Sequence, residues 1–394
     1  MLSRKSVSGL SSSSERKYII LFSIATFFFW ASLYLYVPIL PVYAQSTGAS
    51  LTMVGTIVAA YAIPQMLFRI PIGILFDAIN RRKLLIAGGI VMNSIGALGL
   101  GLAPSALLLF LARGITGIGA ATWVTFTIYF AAYYPVEGMR RAIGIINFVQ
   151  GTALVITTYC GGVIAEKGGY SFTFFGAALL GLVALISLLA TREPSIPPIK
   201  QGSRQSFMRV AAQPLLLVVS FMGVLSQFAN WAGLFGFIPV YGAQIGASST
   251  ALGTITMLTL AASAVAALAV IPLVKRCGNS FTILLGAVLM GSSISIVPLI
   301  HQVNHLNGVM VIYGLGRGIL STILMSLSIQ AVDPGQRATA MGVYQAIYAV
   351  GMFLGPFVSG SIADNLGIAT VFYLSAFFCL VVAGIAYLPI ILKQ

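Results

Sequence analysis

Three arginines, Arg69, Arg113 and Arg317, stand inside long apolar runs, and no aspartate or glutamate stands mid-run to answer them. A guanidinium carries five N–H donors in a rigid fork and keeps its charge at any working pH. Such a group can hold an anion or a carbonyl-rich molecule; it cannot shuttle protons. Of the seven acidic residues, Glu15, Asp77, Glu137, Glu193 and Asp333 fall in segments on one side of the apolar runs, and Glu166 and Asp364 at their opposite ends. With no buried carboxylate, histidine or nucleophile–base pair within reach, acid–base and covalent catalysis have no candidate residues, and an enzyme is not expected. His301 and His305 have a spacing that could chelate a metal, but they read as solvated loop residues. Cys160, Cys277 and Cys379 are far apart and odd in number, so they read as packing residues without a disulfide framework or metal site. No cofactor is expected.

Neutral hydrogen-bonding side chains accompany the arginines. Tyr61, Gln65 and Arg69 follow one another at i, i+4 and form one stripe. Gln227, Asn230 and Trp231 cluster in a later run, as do Asn147 with Gln150, Gln345 with Tyr348, and Trp30, Ser32, Tyr34 and Tyr36 in the first. The candidate binding set is Arg113, Arg317, Asn230, Trp231, Gln227, Tyr34, Asn147, Gln150, Gln345 and Tyr348. Arg113 has a competing reading as a structural arginine bonded to backbone carbonyls. Arg69 lies close enough to one surface to snorkel. The aromatic and methionine residues could equally serve only to pack helices.

The elements that hold these groups follow from composition. Hydrophobic residues make up 59% of the 394 and charged residues 7%, with mean hydropathy +1.01. A soluble surface needs roughly 25% charged residues, so lipid must be the solvent, and only helices or closed barrels satisfy the backbone there. The runs are long and lack dyad alternation, which predicts an all-α membrane protein. Twelve spans are expected near 18–41, 52–75, 84–103, 105–131, 142–165, 170–190, 214–240, 250–273, 281–300, 308–331, 338–362 and 369–391. Residues 1–17 read as a disordered tail rather than a cleaved signal peptide, because the first run is too long for one. Residues 191–213, rich in Pro, Lys and Arg, read as the linker between bundles at 18–190 and 214–391.

Of the 21 Lys and Arg residues, three lie inside spans and Lys167 alone lies on one side. The rest lie on the other, which the positive-inside rule makes cytoplasmic, with both termini. The net charge of +14 thus points to anionic lipid rather than nucleic acid. A shift of 198 residues relates Pro41-Val-Tyr43 to Pro239-Val-Tyr241 and Gly48-Ala-Ser50 to Gly246-Ala-Ser248. The same shift takes Gly55 to Gly253, Gly162 to Gly360 and Glu166 to Asp364. One offset over most of each half marks a duplication. Six spans per copy makes the copies parallel, around a central cavity.

The motifs resemble those of the major facilitator superfamily. Gly73-Ile-Leu75-Phe-Asp77-Ala-Ile-Asn80-Arg81-Arg82-Lys83 looks like its loop Gly-x-Leu-x-Asp-Arg-x-Gly-Arg-Arg/Lys, with Ala78 and Asn80 departing from it. Arg113-Gly-Ile-Thr116-Gly117-Ile-Gly119 looks like its Arg-x-x-x-Gly-x-Gly motif in span 4. The antiporter motif of span 5 is degenerate, with Thr157 and Thr158 in place of Gly-Pro, while span 11 carries Gly351, Gly355, Pro356 and Gly360. The resemblance implies a secondary transporter of the drug- or metabolite-efflux type, working by alternating access as a monomer in the cell membrane on a small-molecule substrate. It implies a conformational latch at Gly73, Asp77, Arg81 and Arg82, and a cavity lined by spans 1, 4, 7 and 10. An organic-anion importer or exchanger, or a non-transporting sensor or lipid scramblase, are the alternatives. A sensor would be expected to carry a further soluble domain. Without a mid-membrane carboxylate, the protein is either uncoupled or exchanging, or its proton site is Asp77 or the substrate.

Overall fold

The computed structural model describes residues 13–78, 81–135, 138–194, 204–330, 332–333 and 336–392. Asn80, Glu137, Lys200 and the basic residues Arg4, Lys5 and Lys393 lie outside these, as does the side chain of Asp77. The described chain is helical, with eleven helices long and apolar enough to cross a membrane. One of them, Ser249–Leu299, has 51 residues. At 1.5 Å per residue it would reach about 76 Å, more than twice a bilayer core. It bends at Gly278, where φ is 80°, and so makes two spans. The protein is therefore an all-α membrane protein of twelve spans in two six-helix repeats.

Spans 1 to 6 run Ser13–Ser46, Leu51–Ala78, Arg82–Leu102, Ala106–Ala131, Met139–Gly168 and Tyr170–Leu189. Spans 7 to 12 run Pro214–Gln244, the two limbs of Ser249–Leu299, Val303–Ser328, Arg337–Leu366 and Ile368–Ile385. Span 1 begins at Ser13, inside the segment expected to be tail. The linker holds a short helix, Arg204–Ala211, where none was expected. Helices outrun the apolar runs because the headgroup zone accepts polar helical turns.

Proline accompanies the breaks in spans 1, 2 and 7, although Pro71, Pro272 and Pro356 sit within continuous helix. Pro41 and Pro239 lack an N–H and crowd the carbonyl four residues back. Just before them span 1 turns irregularly over residues 35–39 and span 7 winds a π turn at Gly233–Phe237. These breaks are related by the 198-residue shift. Pro64 likewise breaks span 2 at Tyr61, between Leu51–Ala60 and Ala62–Ala78. The repeat extends to backbone angles: φ is 85° at Gly48 and 88° at Gly246, 90° at Gly169 and 85° at Gly367. These values suit glycine alone, and they make the tight joins between successive spans.

Candidate functional site

Two ends can be distinguished: a basic face, which holds the Lys and Arg loops, and a far face opposite. At the far face the two halves meet through glycines related by the repeat. A Cβ on Gly55 would lie 3.0 Å from the Cα of Gly360, and one on Gly253 would lie 3.2 Å from the Cα of Gly162. Backbones this close require residues without side chains. Both contacts are stapled by carboxylates. Asp364 of span 11 accepts the Leu51 and Thr52 N–H groups at 3.0 and 2.7 Å. Glu166 of span 5 accepts the Ser248 hydroxyl at 2.7 Å and the Thr250 N–H at 2.8 Å. Each carboxylate thus caps the N-terminus of a helix in the other half, where the helix dipole favours negative charge. Ser50 and Ser248 complete the caps from within their own helices, accepting from Met53 and Ala251.

Towards the basic face, glycines of spans 2, 5 and 11 stand clear. Gly73, Gly144, Gly151 and Gly342 would carry a Cβ with nothing within 4 Å. Arg69 donates to Gln65 at 2.6 Å and across the halves to Gln345 at 3.2 Å. Of the residues expected to form a latch, Arg82 makes two bonds within the first half. Arg82 donates from Nε to the Phe76 carbonyl at 3.0 Å, and its backbone N–H meets Glu193 at 2.6 Å. Lys83 holds the Leu189 and Thr191 carbonyls. Arg81 is exposed and precedes span 3.

Beneath the far-face contact lies an aromatic roof shared by both halves. Tyr61 stacks on Trp231 with centroids 5.4 Å apart, and Tyr34 meets Phe235 edge-on at 6.0 Å. The π turn of span 7 carries Phe235 to that position. Arg113 sits behind the roof, 2% exposed. Its guanidinium lies 4.3 Å from the Tyr61 ring and 5.3 Å from the Tyr36 ring, and donates to the Tyr36 hydroxyl at 2.9 Å. Its Nε is buried without a partner. Its hydrogen-bond partners are hydroxyls, those of Tyr36 and Thr116, where backbone carbonyls were the expected alternative. Gly117 lets the Tyr61 carbonyl approach this helix.

Arg317 occupies a different place. Spans 4 and 10 both start at the far face, at Ala106 and Val303. Arg113 is seven residues in and Arg317 fourteen, or about 10 and 21 Å at the helical rise. Arg317 is half-buried. It donates from Nε to Asn230 Oδ1 at 2.8 Å and from Nη1 to Ser263 Oγ at 2.8 Å. Asn230 is turned for this by donating its amide to Gln227 at 3.1 Å. Tyr348 packs edge-on against Tyr344, 5.1 Å away, whose ring lies over Gly223 of span 7.

The structure therefore joins Arg317, Asn230 and Gln227 in one chain of hydrogen bonds, and Tyr34 and Trp231 in the roof. Gln345 pairs with Arg69 instead. Asn147 is exposed and Gln150 half-exposed on span 5; among the described residues neither bonds to the rest of the set. Ser263 was not expected. Its one signal is the 198-residue shift, which pairs it with Gln65 of the polar stripe in span 2. Glu166 and Asp364 were marked as repeat partners but not as closures.

Comparison with known proteins adds to this geometry. The model of the Major Facilitator Superfamily matches residues 22–244 and 219–393. The chain is 27% identical to an uncharacterized MFS-type transporter of Methanocaldococcus jannaschii, over 90% of this chain and 93% of that protein. It is 25% identical to Multidrug resistance protein 1 of Bacillus subtilis, over 89% and 91%. It is 24% identical to a probable sugar efflux transporter of Mannheimia succiniciproducens, over 95% and 93%. Among solved structures, a bacterial homolog of the human lysosomal transporter Spinster, inward-facing and unoccupied, aligns with a TM-score of 0.83. Its identity is 18%, over 98% of this chain and 99% of that one.

Proposed function

The chain belongs to the Major Facilitator Superfamily and is a membrane transporter, and we propose that it works as an exporter, loading a small molecule from the basic face and releasing it at the far face. The observation that carries this reading is the asymmetry between the two faces. Glycine contacts and carboxylate caps hold the far ends together, while Gly73, Gly144 and Gly342 stand clear at the other end. Arg317 lies half-buried between them. A site reached from one face, under a roof shared by two rocking halves, is what alternating access requires.

By the positive-inside rule the basic face is cytoplasmic, with both termini there, in the cell membrane. Export then matches the efflux named for one relative and the drug resistance named for another. In this reading Arg317, Asn230, Gln227, Tyr34 and Tyr348 contact the substrate, with Asn147, Gln150 and Gln345 along the approach. Trp231, Tyr61 and Arg113 build the gate. Gly73, Asp77, Arg81 and Arg82 latch the halves in the opposite conformation, when the far face opens. The transporter acts as a monomer.

Everted membrane vesicles containing the protein test the direction. Screened with lipophilic dyes, sugars and organic acids, they should accumulate at least one class, and right-side-out vesicles should not. Uptake confined to right-side-out vesicles would make it an importer. Accumulation that needs a trans solute and ignores an imposed proton gradient would make it an exchanger. Loss of proton-driven flux in folded Asp77→Asn would assign the coupling to that carboxylate.

A further inference from the structure

We propose that Arg317, and not Arg113, recognises a negatively charged group on the transported molecule, so that the substrates are organic anions such as carboxylates, sulfonates or phosphate esters. This rests on the transporter reading above and names the chemistry of its site.

The two arginines differ in what holds them. Arg113 is closed off: it is 2% exposed, wrapped by two tyrosine rings, and its Nε is sealed without a partner. A ligand could reach it only by dismantling the roof. Arg317 is fixed by neutral acceptors, the amide oxygen of Asn230 and the hydroxyl of Ser263. Among the described residues no carboxylate pairs with it, so its charge is oriented but not neutralised. Two of its five N–H groups are used, which leaves one on Nη1 and two on Nη2. Nη2 has no hydrogen-bond partner among the described residues and is not sealed, so on this half-buried side chain it is the end left to a ligand.

That edge has the form that takes a carboxylate or phosphate through two parallel hydrogen bonds. Asn230, itself oriented by Gln227, stops the guanidinium from swinging away, so the fork is organised before the ligand arrives. An unpaired charge deep in the bilayer is expensive. An anionic substrate removes that cost on binding, and the loaded carrier crosses between conformations as a neutral pair.

The test uses purified, detergent-solubilised protein and four probes of one shape: 1-naphthoate, 1-naphthalenesulfonate, neutral 1-naphthamide and cationic 1-naphthylmethylammonium, at equal ionic strength. Thermal unfolding is read against probe concentration, since a ligand that binds the folded state raises the midpoint. The two anions should raise it and the amide and ammonium should not. Arg317→Gln should need at least about 100-fold more anion for the same rise, the loss of two charge-assisted bonds. Arg317→Lys should keep a weakened response, because lysine offers a point charge without the fork. Asn230→Asp supplies an internal counter-ion, so it should raise the midpoint without ligand and abolish the anion response. It carries the test if Arg317→Gln does not fold.

Stabilisation by the ammonium or the amide but by neither anion overturns the inference. So does an anion response unchanged in Arg317→Gln or Asn230→Asp, or no anion response at all. The transporter reading fails separately, if everted and right-side-out vesicles alike accumulate nothing from dyes, sugars and acids. Vesicles that accumulate only a cation or a sugar keep that reading and remove this inference.

Discussion

Replacing Gly253 with alanine should prise open the far face. The new Cβ would lie 2.6 Å from the Thr158 carbonyl oxygen, 3.2 Å from the Tyr159 carbonyl oxygen and 3.2 Å from the Gly162 Cα. Ordinary contact begins near 3.4 Å, so the tightest of these must lengthen by 0.8 Å. All three obstacles are backbone atoms and cannot rotate aside, so spans 5 and 8 must part. One methyl forced into a packed contact costs about 1–3 kcal/mol. The helical preference of alanine over glycine, about 1 kcal/mol at most, is present in both conformations and cancels. The equilibrium should therefore move towards the far-open state by roughly 5- to 150-fold. Spin labels at Lys167→Cys and Asn365→Cys, on the far ends of opposite halves, would read this by double electron–electron resonance with the native cysteines replaced. Gly253→Ala should enlarge the long-distance population, and so should Gly55→Ala, its repeat counterpart. Gly144→Ala and Gly342→Ala, whose new methyls meet nothing within 4 Å, should not. A folded Gly253→Ala protein whose distances match the parent would refute the assignment of these glycines as the closure.

Asp364→Asn should open the far face in the same direction. It keeps one of two acceptors and loses the charge that complements a helix N-terminus, together about 1–2 kcal/mol or roughly a 5- to 30-fold shift, read by the same labels; Glu166→Gln should share its sign. Tyr36→Phe removes the 2.9 Å hydrogen bond of Arg113 and leaves a buried charge short of an acceptor. Stability in detergent should fall by about 1–3 kcal/mol with ligand affinity unchanged, and an unaltered unfolding midpoint would mean that Arg113 does not depend on that hydroxyl. Pro239→Ala restores an N–H facing the Phe235 carbonyl and should rewind the π turn at Gly233–Phe237. Slower amide exchange over residues 233–239 would show it, whereas unchanged exchange would place the origin of the break elsewhere.

The twelve spans were legible because hydropathy is written along the chain and a bilayer demands about 20 apolar residues at a time. Their ends were not, as the extra turns of span 1 from Ser13 and of span 5 to Gly168 show. Those turns are polar, and their helicity comes from continuing a helix already nucleated in lipid. The linker helix Arg204–Ala211 escaped notice because eight residues are too few for a periodicity to stand out. The prolines that break spans 1 and 7 stood in plain view within the repeated Pro-Val-Tyr, yet a break and a straight run have the same composition.

The sequence by itself determined a membrane-embedded duplication and paired Gly55 with Gly253, Gly162 with Gly360 and Glu166 with Asp364. Only the tertiary structure decided that the contacts run crosswise, Gly55 to Gly360 and Gly253 to Gly162, with each carboxylate capping a helix of the opposite half. It also separated two arginines that look alike in sequence, each followed by Gly-Ile. One is sealed against tyrosine rings, and the other is held open by Asn230 and Ser263. A residue's charge and apolar character belong to it and its neighbours along the chain. Its partners depend on which helix faces meet across the bundle, and that is settled by packing between segments far apart in the chain.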